Sequence, residues 1–206
     1  LMPKQNKHLK IITPEFIKQN IRAVVFDLDG VIFPIGTFLR ENLNGTELII
    51  KTKKMSPAMI KNIEELKKYF WIIFASGRSL IYLQQALEDV LWNKVSLIAE
   101  NGNFVLMNGK IEQLGKYDLN YFKKIKTIRK QIKNLRQKSK KIHGFEPKQM
   151  IISVHATEKT PAIEKIVKKN DCEILYVKNY KVLSTDFNKI FSSEISAVSR
   201  RKAPND

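Results

Sequence analysis

Cysteine is nearly absent from this 206-residue chain: Cys172 stands alone, so no disulfide can close within it, and no metal-ligand spacing surrounds it. Long apolar runs are missing too. The longest, such as WIIFA at 71–75, are strand-sized and fall far short of the roughly 20 apolar residues a membrane helix needs. The opening LMPKQNKHLK is polar and basic and has no apolar signal core, so secretion is not indicated and a reducing cytoplasm is the expected location. No repeat or low-complexity linker stands out. Acids are in short supply, 20 Asp and Glu against 37 Lys and Arg, for a formal charge of +17. That excess has two readings. It attracts a polyanion, whether nucleic acid, an anionic membrane or a phosphorylated substrate; or it is a Lys-rich bias carried on solvated faces, which the even spread of the lysines suits. What is present is ordinary globular stock: 43% apolar residues, enough for one core or a core plus a small second domain.

Thr13-Pro14-Glu15 reads as a capped helix start reaching about Gln19. RAVVFDL (22–28) is a nearly continuous apolar run, as in a strand buried on both faces, and it ends at Asp29-Gly30. A loop or hairpin follows to about Lys54. Ser56-Pro57 opens a helix with Ile60, Ile63, Leu66 and Phe70 on one face. WIIFA (71–75) is a second strand closed by Ser76-Gly77. A helix capped by Ser79 carries Leu80, Leu83, Leu87 and Leu91 inward, and VSLIA (95–99) is a third strand closed by Glu100-Asn101-Gly102. Strand, helix, strand, helix, strand implies a parallel sheet with right-handed crossovers. Beyond Gly102 the pattern changes. Asn108-Gly109 marks a hairpin, and an amphipathic helix spans about 118–139 with Tyr121, Ile125, Ile128, Ile132 and Leu135 on one side and lysines on the other. Strand-like KIHGFE (141–146) and QMIISVH (149–155), a helix from Thr160-Pro161, and strands CEILYVK (172–178) and KVLST (181–185) complete an α+β module inserted after the third core strand.

Ligands of open parallel sheets gather at the carboxyl ends of the strands. Three strand ends here deliver Asp27-Leu28-Asp29-Gly30, Ser76-Gly77-Arg78 and Glu100-Asn101-Gly102, and these tips should lie side by side. Asp27 and Asp29, two apart, share a face, and a carboxylate pair needs a cation or proton between its members. Mg²⁺ suits oxygen ligands of this kind. A carboxylate so held can attack phosphorus, while its neighbour protonates a leaving alcohol and then activates water. The competing reading is an ordinary Asp-Gly turn with solvated acids; placement after an apolar strand favours chemistry. Ser76 and Gly77 offer a hydroxyl and N–H groups to phosphate oxygens, or make a plain capped turn. Arg78 binds substrate or sits in the first helical turn; Asn101 and Gly102 touch substrate or merely turn the chain.

FDLDGVI after a strand, then ASGR, then AENG resemble the haloacid dehalogenase superfamily, and the inserted module resembles the cap of its sugar-phosphatase branch. DGVIFPI (29–35), EPK (146–148) followed by ISVH (152–155), and VKNYKVL…FNK (177–189) are most similar to trehalose-6-phosphate phosphatases and their sucrose- and mannosylglycerate-phosphatase relatives. The resemblance implies a Rossmann-like parallel core over 1–103, an α+β cap over 104–186 and a return to the core over 187–206. It implies Asp27 as nucleophile and Mg²⁺ ligand, and Asp29 as general acid/base with its carbonyl on Mg²⁺. Ser76 and Lys189 would bind the transferring phosphoryl group. Glu146 and Lys148 would hold sugar hydroxyls; the alternative for that pair is a solvated strand edge.

The pattern departs at its end. The family's fourth acidic motif, typically Gly-Asp-x-x-Asn-Asp, is matched only by Asn205-Asp206, with Arg201-Lys202 where Gly-Asp belongs. The expectation is therefore a core incomplete at its C-terminal side, with an exposed sheet edge, and a metal site that lacks a carboxylate unless Asp206 supplies one. Three functions stay open: a Mg²⁺-dependent phosphatase of a small sugar phosphate, a sugar phosphomutase, or a catalytically degenerate fold binding an anionic partner such as RNA through the basic helix.

Overall fold

A computed structural model of the chain describes residues 21–34, 36–178 and 193–198, with backbone alone over 175–178 and 193–198. Strand β1, Ala23–Asp27, leads into a two-stranded hairpin, β2 (Phe38–Glu41) and β3 (Leu48–Lys51). Helix α1 (Pro57–Lys67) follows, capped as its sequence demands: the Ser56 hydroxyl accepts from the Met59 N–H and Pro57 occupies the first turn. Strand β4 (Trp71–Ala75), helix α2 (Leu80–Ala86) and strand β5 (Val95–Ala99) complete the alternation. β1, β4 and β5 pair in parallel. An antiparallel hairpin, β6 (Phe104–Met107) and β7 (Lys110–Gln113), extends the sheet to the order β1-β4-β5-β6-β7. Its turn is Asn108-Gly109, both with positive φ, as a tight hairpin turn requires.

Alternation along the strands sends Ile72, Phe74 and Leu97 into a core with Ile63 of α1 and Leu83, Leu87 and Val90 of the α2 region. Val24 and Phe26 of β1 pack against the same core. The other face of β1 is bare. Ala23, Val25 and Asp27 are exposed, Val25 to 60%. Burial on both faces, as the apolar run suggested, does not occur: β1 is an edge strand, with β4 as its single neighbour among the described residues. Two right-handed crossovers running in one direction along a sheet put both helices on one face, so α1 and α2 pack on the face of Ile72, Phe74 and Leu97 and not on that of Val25.

The second unit is helix α3 (Leu119–Gln137), strands β8 (Ile142–Glu146) and β9 (Ile152–Ala156), helix α4 (Pro161–Lys169), and strands β10 (Glu173–Lys178) and β11 (Ser193–Val198). Asp118 caps α3 by accepting from the Tyr121 N–H. Tyr121, Ile125, Ile128 and Ile132 of α3 and Ile163 and Val167 of α4 pack on Phe145, Ile152 and Val154 of the antiparallel sheet β10-β11-β9-β8. The expected element order holds, but the last strand differs. Residues 181–185 lie outside the described residues, and the partner of β10 is β11, which sits between β10 and β9. Part of the segment expected to return to the core is thus a strand of the second sheet. Among the described residues no helix is long and apolar enough to cross a membrane.

This layering separates two substitutions. Phe74→Ala, at a fully buried side chain, should lower unfolding free energy by about 3–5 kcal/mol. Val25→Thr on the bare face should change it by less than about 0.5 kcal/mol. Urea denaturation checks both, and a Val25 loss as large as that at Phe74 would mean the β1 face is covered.

Candidate active site

Leu28, between the two acids, is buried in the core, and alternation of side chains then turns Asp27 and Asp29 to the other side. The Leu28 carbonyl accepts from the N–H groups of Val31, Ile32 and Phe33 at 3.2, 2.9 and 2.9 Å, and Gly30 N–H donates to the Phe33 carbonyl at 2.7 Å. The chain turns sharply immediately after the strand.

Asp27 pairs in register with Ala75, so Ser76 stands one residue beyond it on the neighbouring strand. The second and third tips are tied by main-chain bonds. Ser76 N–H donates to Ile98 O at 2.9 Å, Glu100 N–H to Arg78 O at 2.9 Å and Asn101 N–H to Ser76 O at 3.3 Å. Gly77 is dictated by this approach: a Cβ there would lie 2.8 Å from Asn101 Oδ1. Ser76 Oγ accepts from the Arg78 N–H at 3.2 Å.

Arg78 lies just before the Ser79 cap of α2, outside the helical turn, and its guanidinium is buried. It holds Asp29 with two bonds, Nε to Oδ2 and Nη2 to Oδ1, each 3.0 Å. Nη2 also donates to Thr37 Oγ1 at 3.0 Å, and the Tyr82 ring lies 5.0 Å from the guanidinium carbon. The remaining nitrogen, Nη1, is 3.6 Å from Glu146 Oε1 on β8. Glu146 Oε2 in turn meets Lys148 Nζ at 2.9 Å, accepts from Ser153 Oγ at 3.3 Å and lies 3.9 Å from His155 Nε2. Charges alternate from the first sheet into the second unit: Asp29, Arg78, Glu146, Lys148. Glu146 and Lys148 are not on a solvated edge, since their side chains are 1% and 2% exposed. Burial of this kind is tolerable because each ion faces a counter-ion.

Two further seams join the units. The buried Glu100 carboxylate accepts from the N–H groups of Gln149 at 2.9 Å and Met150 at 2.8 Å, fixing the loop between β8 and β9. The β2–β3 hairpin reaches β8 and α3: Arg136 Nη1 lies 3.1 Å from Glu41 Oε2, and Phe145 N–H donates to the same oxygen at 3.3 Å. Sequence reasoning missed Glu100 and Glu41. For Glu100 a signal existed, since it follows an apolar strand directly, just as Asp27 ends one. For Glu41, in an exposed-looking hairpin, none did. Nearby on β8, burial pushes the His143 imidazole below its ordinary value, with His155, Arg136 and Arg40 adding repulsion.

Asp27, Asp29, Ser76, Gly77, Arg78, Asn101 and Gly102 are therefore gathered at one end of the sheet, and Glu146 and Lys148 reach them through Arg78. Lys189 and Asp206 lie outside the described residues. Among the described residues no group of three or more His, Cys, Asp or Glu could hold a metal ion. The donors on offer are the Asp27 carboxylate and main-chain oxygen. That chemistry fits Mg²⁺, which takes one or two carboxylates and keeps several waters.

A parallel α/β core with acids at its strand exits, joined to an α+β unit, is the class of fold the structure defines. The sequence profile of the haloacid dehalogenase-like hydrolases matches residues 24–201, and the chain belongs to that family. No curated protein matches it in sequence. The fold is similar to that of the C-terminal domain of trehalose-6-phosphate phosphatase from Candida albicans, with TM-score 0.54 and 19% identity over 85% of this chain and 56% of that one. It is similar also to a trehalose-6-phosphate phosphatase related protein, with TM-score 0.55 and 17% identity over 83% of this chain and 66% of that one. At such identities the likeness is one of fold, and the chain spans less than two thirds of either relative.

Two outcomes follow from the seam. Glu146→Ala strands Arg78 Nη1 and Lys148 in the interior and should cost about 3–5 kcal/mol in urea denaturation, whereas Glu65→Ala, at an exposed pair with Lys68, should cost under about 1 kcal/mol; equal losses would contradict the buried network. For His143, the folded value lies below the ordinary 6.5 of the unfolded chain. The unfolded state then binds the proton more readily, so this contribution to stability is present above 6.5 and is lost as pH falls below it. His143→Gln should flatten that part of the stability profile, and an unchanged acid slope would contradict the assignment.

Proposed function

We propose that the chain is a phosphatase of small sugar phosphates that works through an aspartyl-phosphate on Asp27. The observation that carries this reading is the convergence of Asp27 and Ser76 on adjacent strand exits, with Asp29 held beside them by a buried arginine that also faces the cap. An Asp27 carboxylate oxygen attacks phosphorus, and the bond from phosphorus to the sugar oxygen breaks. Asp29 gives its proton to that leaving oxygen. Water then attacks the same phosphorus, Asp29 takes the water's proton, and Asp27 leaves as a free carboxylate with inorganic phosphate. Mg²⁺ bound by the Asp27 carboxylate and the Asp29 carbonyl would offset the phosphate charge. Ser76 Oγ and the N–H groups beside Gly77 suit the phosphate oxygens.

Arg78 gives Asp29 its two roles. With both oxygens bonded to Arg78, Asp29 is placed as a base. To act as an acid it must exchange Arg78 for the sugar oxygen, and Glu146, 3.6 Å from Nη1, is the carboxylate that accepts the displaced arginine. The cap above excludes water and selects the sugar, with Glu146 and Lys148 as its hydroxyl-binding pair. Lys189 would neutralise the phosphoryl group and Asp206 would add a metal ligand, both by resemblance to the family.

Phosphate release from a panel of sugar phosphates in Mg²⁺ tests this reading. Asp27→Asn should reduce turnover by at least about a thousandfold. Equal rates in the two proteins would exclude the nucleophile, and an isomeric sugar phosphate as product in place of free phosphate would make the enzyme a mutase.

A further inference from the structure

Helix α3 carries a feature that the hydrolytic site does not use. Between Asp118 and Glu146 the sequence holds ten Lys and Arg and no acid. On the helix these cations are sorted. Arg136 turns inward to Glu41, and Arg129 Nη2 donates to the Lys148 carbonyl at 3.1 Å. Lys123, Lys126, Lys130 and Lys133 instead follow one another at three- and four-residue steps, so they form a single file on the side opposite Tyr121, Ile125, Ile128 and Ile132. All four are exposed, and among the described residues none lies within ion-pair distance of an acid. The file is about 15 Å long at 1.5 Å rise per residue, with one charge per turn, close to the spacing of successive phosphates on a nucleic-acid strand. Leu119 and Phe122 continue the same file at its N-terminal end, 69% and 39% exposed. On another side of the helix the end of α4 approaches: Asn170 Nδ2 donates to Gln131 Oε1 at 3.4 Å and Asp171 sits 4.0 Å from Lys124.

We propose that this face of the cap binds single-stranded nucleic acid, the four lysines tracking the phosphates and Phe122 offering its ring to a base. Ordered cations with an aromatic at one end are the combination that such strands require. A membrane surface fits less well, because a helix lying in a bilayer needs an apolar face along its length, and that face of α3 is spent on the cap sheet.

Fluorescence anisotropy of the whole chain with labelled single-stranded RNA and DNA of about 16 nucleotides tests this. Four phosphate contacts give a slope of log affinity against log salt near −3, so affinity should fall about 50-fold from about 50 to about 200 mM salt. The variant with Lys123, Lys126, Lys130 and Lys133 all changed to Gln should lose about three units of that slope. Its urea midpoint should match the unchanged protein, because the four side chains are exposed. Phe122→Ala should weaken binding without altering the slope. Binding to either oligonucleotide with this pattern supports the proposal and tells which sugar is preferred. Negligible binding at low salt overturns it, as does a slope that the lysine changes leave intact. Tighter, lysine-dependent binding to phosphatidylserine-containing vesicles than to the oligonucleotides overturns it as well, in favour of a membrane surface.

Discussion

The guanidinium of Arg78 is the contact on which the arrangement of the site depends. Arginine stays charged in any protein environment and its donors form a planar fork, so a buried arginine must find acids placed to match. Here Asp29 takes two prongs at 3.0 Å each, and Glu146 faces the third nitrogen at 3.6 Å. The first acid belongs to the turn after β1 and the second to β8 of the second unit. One side chain therefore links the strand-end acid to the second unit. Lys148 completes the series by balancing Glu146. Because the inner members are almost without water, removing any one leaves a neighbour uncompensated, whereas the exposed Glu65–Lys68 pair contributes little.

Around that node the sheet supplies rigidity and the seams supply registration. β4 and β5 are packed by α1 and α2 on one face, so the tips at Ser76 and Asn101 are held by both hydrogen bonds and core packing. β1 is held differently. It has one strand neighbour among the described residues and one packed face, so Asp27 sits at the exposed margin of the sheet while Asp29 is drawn inward by Arg78. Glu100 and Glu41 add two polar anchors to the second unit, Glu100 on the N–H groups of Gln149 and Met150 and Glu41 on that of Phe145.

Much of this was legible in the chain because apolar periodicity and cap residues are local signals. Ser56-Pro57, Asn108-Gly109 and the Tyr121–Ile132 stripe each fixed an element within a residue or two. The convergence of the three strand-end motifs was legible too, since parallel strands must bring their exits together. Three things were not readable. The apolar run at 22–28 is compatible with burial on one face or two, and which occurs depends on what covers the sheet, a non-local fact. The pairing of Glu173–Lys178 with Ser193–Val198 spans a longer sequence separation than pairing with the adjacent KVLST (181–185), the simpler local expectation. The burial of Glu146 and Lys148 depends on Arg78 arriving from another unit; a charged pair on a short strand looks solvated until its counter-ion is known.

The central claim is that the side chain of Asp27 becomes covalently phosphorylated during turnover. Acid quenching of the enzyme during reaction with a sugar phosphate labelled on its phosphorus, followed by peptide mapping, tests it most directly. Acid-stable, hydroxylamine-labile label is expected on the peptide containing Asp27. Phosphate release with label on no peptide, or with label on a serine or histidine instead, would contradict it.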